Sequence, residues 1–180
     1  RRLGLGVMGI ADMLNQLSIG YDSDEGTEII TKVMEFITNA AYQASACLAA
    51  EKGASPIFEE EKYLECPFID EALSHETIKI IKDNGLRNIA IMSIAPTGSI
   101  SNIVLSYKTN ERNYIGVSSG VEPIFAIFYN RRSESFNNKF FKVFHSSVQA
   151  YIDKMDLNDK IKESDDLNDV LPDYMMRTAH

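Results

Sequence analysis

Two hydrophobic periodicities alternate along this chain of 180 residues, one of about 3.6 and one nearly continuous, and together they predict an order of helices and buried strands. Val7, Ile10, Ala11 and Leu14 recur at helical spacing and predict a helix over 7–17, directly behind a glycine-rich start. The turn YDSDEG follows, with Ser23 or Asp24 placed to cap a second helix. That second helix, over 27–53, is the strongest element of the pattern. Ile29, Ile30, Val33, Phe36, Ile37, Ala40, Ala41, Ala44, Cys47 and Leu48 trace one face, and Lys52-Gly53 supplies the stop.

Residues 55–70 read as irregular, with Pro56, Pro67 and the acidic run Glu59-Glu60-Glu61, which is most simply a solvated turn of helix. A shorter helix is expected from about Ile69 to Asn84, ended by Gly85. Asn88 to Ile94 is short and almost wholly apolar, the pattern of a strand covered on both faces, and Glu122 to Tyr129 (EPIFAIFY) is a second such candidate. Between them, the polar tract Lys108 to Asn113 reads as a surface excursion. Phe140 to Met155 predicts another amphipathic helix, and Leu157 to Asp169 an acidic, loosely ordered stretch. No repeat or low-complexity linker interrupts the series. Helices alternating with buried strands give an α/β class.

Composition narrows the functions open to such a fold. At 44% apolar and 24% charged residues the chain has the makings of an ordinary packed core. No apolar run reaches the roughly 20 residues that span a bilayer, and no signal peptide opens the chain. A net charge of -8 disfavours a binder of nucleic acid backbones, yet leaves room for a local pocket that takes one small phosphate ligand. Cys47 and Cys66 read as unpaired thiols in a reducing, cytoplasmic setting. His75, His145 and His180 lie too far apart for a helical metal site, so no metal is expected. The chain begins on two arginines and ends on MMRTAH, and both ends look cut. It is therefore expected to be an internal fragment, residues 1–180 forming one partial domain.

Two glycine-bearing stretches carry candidate chemistry. GLGVMG, Gly4 to Gly9, has the Gly-x-Gly-x-x-Gly spacing of a dinucleotide cradle, which opens a nicotinamide-dependent dehydrogenase reading through Gly4, Gly6 and Gly9. A Rossmann unit needs a strand before the first glycine and an acidic residue closing a second strand some 20 positions on. Only Arg1, Arg2 and Leu3 precede the motif, and QLSIGYD before Asp22 and Asp24 is too short and polar for such a strand. The plainer reading is that these glycines permit close packing and a tight turn into a helix.

APTGSIS, Ala95 to Ser101, follows the first buried strand, where α/β folds place ligands. Pro96 stiffens the entry and Gly98 lets the backbone approach a ligand closely. The amides of Thr97, Gly98, Ser99 and Ile100 can converge on an anion, helped by the hydroxyls of Thr97 and Ser99 and by any helix that starts there. The same residues also suit a plain strand-to-helix turn. A third possibility is an interaction module without catalysis, built on the 27–53 helix, which would have no buried parallel strands.

Four stretches, in order, resemble one family. RRLGLGVMGIADML, NIAIMSIAPTGSIS, GVSSGVEPIFAIFYNRRS and LPDYMMRTAH are similar to the catalytic subunit of ribonucleotide reductase, with the flavour of its adenosylcobalamin-dependent, class II members. The resemblance implies a helix-rich part of a ten-stranded α/β barrel, in which Pro96, Thr97, Gly98, Ser99 and Ile100 hold the substrate phosphates. It implies that ribonucleotides become deoxyribonucleotides. A cysteine thiyl radical abstracts the ribose 3′ hydrogen, the 2′-hydroxyl leaves as water, and a cysteine pair supplies electrons. Adenosylcobalamin is the implied cofactor. The implied partners are the ribonucleotide, the rest of the subunit, a second copy in a homodimer and a thiol reductant such as thioredoxin. The family's radical cysteine sits in Asn-x-Cys-x-Glu, which neither Cys47 nor Cys66 matches, so no catalytic residue is expected in this chain and it should not turn over alone. Arg131 and Arg132 read as a solvated strand end rather than phosphate partners. In this light GLGVMG is a barrel strand and turn entering a helix.

Overall fold

In the computed structural model, residues 1–97, 99–104, 107–109, 112–117, 119–133, 139–164 and 166–179 are described. Their elements run β1 (Arg2–Leu5), α1 (Ile10–Leu17), α2 (Asp24–Lys52), α3 (Glu60–Leu64), α4 (Pro67–Ala72), α5 (His75–Asn84) and β2 (Ala90–Met92). After these come β3 (Tyr107–Lys108), β4 (Asn113–Tyr114), β5 (Phe128–Ser133), β6 (Lys139–Phe144), α6 (Ser146–Lys154), α7 (Asn158–Glu163) and α8 (Asp173–Met176). The chain divides into two compact units, Arg1–Gly6 with Glu28–Ile94, and Val7–Thr27 with Ala95–His180. No helix among the described residues is long and apolar enough to cross a membrane.

In the first unit β1 and β2 pair in parallel, Arg2 opposite Ala90 and Leu5 opposite Met92. The expectation of a strand covered on both faces is corrected here. Only Ile91 of β2 is buried, and Leu3 and Leu5 of β1 are 56% and 46% exposed, because a two-stranded sheet leaves one face without a covering layer. The core lies instead between α2, α4, α5 and β2, around Tyr42, Ala46, Ile69, Leu73, Ile81, Leu86 and Ile91.

The long helix is real, but the face it buries is not the apolar stripe of the sequence. Thr38, Tyr42, Ser45, Ala46 and Ala49 are buried, whereas Ala40, Ala44, Cys47 and Leu48 are exposed and Phe36 is 75% exposed. Polar side chains decide the docking. Ser45 Oγ accepts the Asn88 amide at 3.0 Å and donates to Asn88 Oδ1 at 3.2 Å. Asn39 Oδ1 accepts from the Ser74 amide at 2.8 Å and the Thr77 hydroxyl at 2.7 Å, and Gln43 donates to Thr77 at 2.9 Å. A buried amide or hydroxyl left without a partner costs about 1–3 kcal/mol, so these matched groups outrank exposed apolar ones in choosing the face. Gly53 ends the helix in the left-handed conformation, φ +80°, and Arg87 donates to the terminal carbonyls of Lys52 and Gly53.

The helix expected from Ile69 is two helices. Pro67 opens α4, and Ser74 then caps α5 by accepting the Thr77 amide at 3.2 Å, so the chain breaks between them. Within the stretch 55–70, the acidic run read as a solvated turn of helix is one: residues 60–64 form α3, with no buried residue. At the N-terminus of α2, Ser23 is the cap, its hydroxyl accepting the Gly26 amide at 3.0 Å.

The second unit is cored by Ala11, Ile124, Ile127, Val148, Ile152, Ile161, Leu167, Leu171 and Met175. Two expectations fail in it. EPIFAIFY is not one buried strand: Ile124 and Ile127 are buried three apart while Phe125 between them is 86% exposed. Ile124 makes a single parallel bridge to Ala179, its amide donating to Thr178 O at 3.1 Å, and pairing begins only at Phe128. Likewise 140–155 is not one helix. Residues 139–144 pair antiparallel with 128–133 as a hairpin, and the helix starts after His145. Apolar residues crowded at 140–144 satisfy either period, and the cross-strand partner selects the strand.

Glycine at position 6 is a packing requirement of the parallel pair. A Cβ there would lie 2.2 Å from the Ser93 carbonyl oxygen, a backbone atom held by the Ser93 amide's bond to Leu5 O. In the intact protein Gly6→Ala is expected to cost about 3 kcal/mol or more through overpacking. Gly53→Ala, whose methyl meets nothing within 4 Å, is expected to cost only about 1 kcal/mol through its positive φ. Calorimetric Tm values for the two variants check this. An equal or smaller loss for Gly6→Ala would mean that β1 does not sit against residue 93.

Candidate functional site

The chain leaves β2 through Ser93 and Ile94 and enters the 95–101 loop in the second unit. Pro96 is exposed at its start. Thr97 adopts the left-handed conformation, φ +53°, uncommon for a β-branched residue. The Thr97 hydroxyl oxygen is buried and makes no hydrogen bond. Gly98 lies outside the described residues, and Ser99 and Ile100 are exposed. The Ser101 amide donates to Thr97 O at 3.0 Å and closes the turn. Among the described residues no α-helix starts at this loop; Ser101–Ile103 is a single 3₁₀ turn, so a helix N-terminus is not among the donors the loop offers, which are hydroxyls and backbone amides.

The loop rests on Ser119–Glu122. At Gly120 a Cβ would come within 2.7 Å of Glu122 Oε2, 2.8 Å of Thr97 Oγ1 and 2.9 Å of Pro96 O, so a side chain there would push the loop away. The segment is fixed from three directions. The Gly9 amide donates to the carbonyls of Ser119 at 3.0 Å and Gly120 at 2.8 Å, and the Ile10 amide to Gly120 O at 3.2 Å. The Tyr21 hydroxyl donates to Val121 O; burial first, then the Glu122 charge, push its pKa up and keep it a protonated donor. The Glu122 carboxylate accepts backbone amides, its own, that of Gly120 at 3.1 Å and that of Val121, which hold its pKa below the usual carboxylate range. The Ser119 hydroxyl is buried without a partner, as is that of Thr97.

This arrangement settles the use of the opening glycines. Gly4 is in β1, Gly6 packs on Ser93, and Gly9, at φ +79°, caps α1. The amides of Gly9 and Ile10, which a dinucleotide reading would aim at a pyrophosphate, are already given to carbonyls of residues 119 and 120. The parallel β1–β2 pair likewise departs from an all-helical module.

α1 is itself anchored by polar residues that the reading of the sequence passed over. Asp12 and Asn15, 2% and 4% exposed, lie one turn apart on it. His145 Nδ1 is 3.4 Å from Asp12 Oδ1 and 3.3 Å from Ser147 Oγ. Asn15 donates to Ser147 Oγ at 3.1 Å and accepts from the Thr178 hydroxyl at 2.8 Å. A carboxylate and an amide three apart on an otherwise apolar helix face were the available signal. Burial lowers the His145 pKa and Asp12 partly opposes it. Cys47 and Cys66 are exposed free thiols of the other unit, and Arg132 is exposed on β5 opposite Phe140.

The family model described as ribonucleotide reductase, barrel domain, matches residues 1–177. The vitamin B12-dependent ribonucleoside-diphosphate reductases of Mycobacterium tuberculosis and Thermoplasma acidophilum are 36% and 40% identical over 131 residues, 73% of this chain and 15% and 14% of theirs. The ribonucleoside-diphosphate reductase subunit alpha of Helicobacter pylori is 34% identical over 143 residues, 69% of this chain and 17% of that protein. Among solved structures, the Actinobacillus ureae class Id ribonucleotide reductase alpha subunit matches with a TM-score of 0.59 at 21% identity, covering all of this chain and 27% of that one. The chain thus spans 14–17% of the length of these curated relatives.

His145 gives the anchoring network a pH signature. Its pKa is lowered in the folded state, so as pH falls the unfolded chain takes up the proton first, from about pH 6.5 downward. Stability is therefore full above that value and declines below it until the folded state protonates too. The intact protein's Tm is expected to fall between about pH 7 and about pH 5, and His145→Gln to flatten that fall. Parallel Tm profiles for the two proteins would show that His145 does not carry the effect.

Proposed function

We propose a role for this chain from one premise: it belongs to the ribonucleotide reductase barrel-domain family. Its role is to supply the substrate-phosphate wall of a reductase that converts ribonucleotides to deoxyribonucleotides by thiyl-radical chemistry. β1 and β2 are two parallel strands of the ten-stranded barrel, the rest of the protein providing the others and covering Leu3 and Leu5. The 96–100 loop grips the phosphates, and the ribose is thereby brought to the radical cysteine carried elsewhere in the protein. Anchoring a remote phosphate in this way converts binding energy into correct placement of the reacting carbon.

The observation that carries the reading is the Thr97 hydroxyl, buried and without a partner, on a left-handed turn held over Gly120. Such a group costs free energy unless something accepts its proton, and a phosphate oxygen is an acceptor of the right strength. Backbone amides and hydroxyls also let a chain of net charge -8 bind an anion without a lysine.

The intact protein uses adenosylcobalamin, a reading supported by relatives named as vitamin B12-dependent; in this proposal it also uses a thiol reductant such as thioredoxin and works as a homodimer. Adenosylcobalamin supplies the radical when bound. The donors at the loop, hydroxyls and amides, suit phosphate and offer cobalt no nitrogen ligand, so no residue of this chain is assigned to that cofactor.

The test is kinetic, in the intact enzyme with adenosylcobalamin and a dithiol. Gly98→Val is expected to raise the substrate KM by a factor of about 100 or more, the cost of keeping loop amides from a charged ligand. Near-normal kinetics for that variant would overturn the loop assignment.

A further inference from the structure

Ser119 and Glu122 are not used by the reading above; they flank Gly120, on which the loop rests, and the Glu122 carboxylate reaches that contact. Ser119 is 7% exposed and its hydroxyl has no hydrogen-bond partner, the same condition as the Thr97 hydroxyl, and it directly precedes the Gly120 on which the loop rests. The amides of Gly120, Val121 and Glu122 converge on one anion, the Glu122 carboxylate, in the manner of a backbone nest. One oxygen of that carboxylate, the Thr97 hydroxyl and the Pro96 carbonyl all lie within 2.9 Å of a single point, the place where a Cβ of Gly120 would be. A fixed negative charge therefore stands at the edge of a loop read as holding phosphate.

We propose that Ser119–Glu122 is the second wall of the substrate-phosphate site and sets how much negative charge the site accepts. This rests on the reading of the 96–100 loop. The Ser119 hydroxyl donates to a phosphate oxygen. The Glu122 carboxylate, seated on its three amides, repels an additional phosphate and selects ribonucleoside diphosphates over triphosphates. Coulomb repulsion at such range, in a partly desolvated site, is large enough to discriminate by one charge. The tyrosine that fixes Val121 and the amides that fix Ser119 and Gly120 hold this charge in place rather than letting it swing away.

Two variants of the intact enzyme test the two halves of the claim. In Ser119→Ala the fold loses no hydrogen bond, because the hydroxyl makes none within the protein, and the Tm should stay within a degree or two of the parent. The diphosphate KM should nevertheless rise about tenfold, by more than kcat falls. In Glu122→Gln the side-chain oxygen can still accept the Gly120 amide, and the charge is gone. The ratio of triphosphate to diphosphate kcat/KM should then rise about tenfold. Both substrates are read from one preparation, so a partly unfolded sample cancels from the ratio. An unchanged KM in Ser119→Ala, or an unchanged ratio in Glu122→Gln, overturns the proposal. If Gly98→Val still raises KM in that event, the loop assignment stands and only the second wall falls.

Discussion

The site depends on a carbonyl pair seated on the first turn of a short helix. Gly9 and Ile10 begin α1, and their amides are among the donors that a helix leaves without an intrahelical acceptor. Many proteins fill such a terminus with a side-chain cap or an anion. Here the carbonyls of Ser119 and Gly120 do so, at 2.8–3.2 Å, and a capping side chain is absent. The consequence runs outward. With residues 119 and 120 pinned, the Gly120 Cα becomes the floor under Thr97 and Pro96, and the loop above it keeps a left-handed turn that would otherwise be disfavoured. The glycine at position 9 is equally constrained, since its φ is +79° and a Cβ would meet the Val117 side chain at 3.0 Å.

A pinned helix is useful only if the helix itself is fixed, and polar groups do that work. Asp12 and Asn15 enter the second unit's core and are matched there by His145, Ser147 and Thr178. Although His145 Nε2 is buried without a partner, the paired groups of this cluster specify one docking angle in a way that apolar contacts alone do not, because any rotation of α1 would unpair several of them at once. The first unit uses the same device, with Asn39, Gln43 and Ser45 orienting α2 against α5 and Asn88. In both units directional bonds choose the geometry and apolar burial supplies the bulk of the stabilisation.

That division explains which parts of the structure were legible in the sequence. Glycine and cap signals were read correctly where the requirement is local: Gly53 and Gly85 end helices with positive φ, and Ser23 caps α2. The strand-turn-helix around GLGVMG and the short strand before APTGSIS also stand. What failed depended on partners distant in the chain. The apolar stripe of α2 pointed to Phe36, Ala44 and Leu48, yet Asn39, Ser45 and their partners up to 43 residues away turned another face inward. Residues 139–144 have a period compatible with helix, and only pairing with 128–133 makes them a strand. At the candidate site, composition pointed to the 95–101 loop, whereas Ser119 and Glu122 were read only as part of a strand candidate and of the stretch containing SSGVEP. No local pattern says that a serine hydroxyl will be buried without a partner, or that a glutamate will curl onto its own amides.

The chemistry of the loop is consistent with the charge of the chain as a whole. An excess of eight negative charges sets a background that repels phosphate, and a lysine or arginine at the loop would answer it with a long, mobile cation. Fixed amides and hydroxyls answer it differently. They bring no rotamer entropy to be lost and act only at hydrogen-bond distance, so the attraction is confined to a ligand that fits. In the proposed role the loop binds its anion by geometry rather than by net charge, and the glycines at 9 and 120 suit that role. At Gly120 a Cβ would come within 2.9 Å of the loop's Pro96 carbonyl and at Gly9 it would meet the Val117 side chain at 3.0 Å, so both glycines let main chain come close where a side chain would not fit.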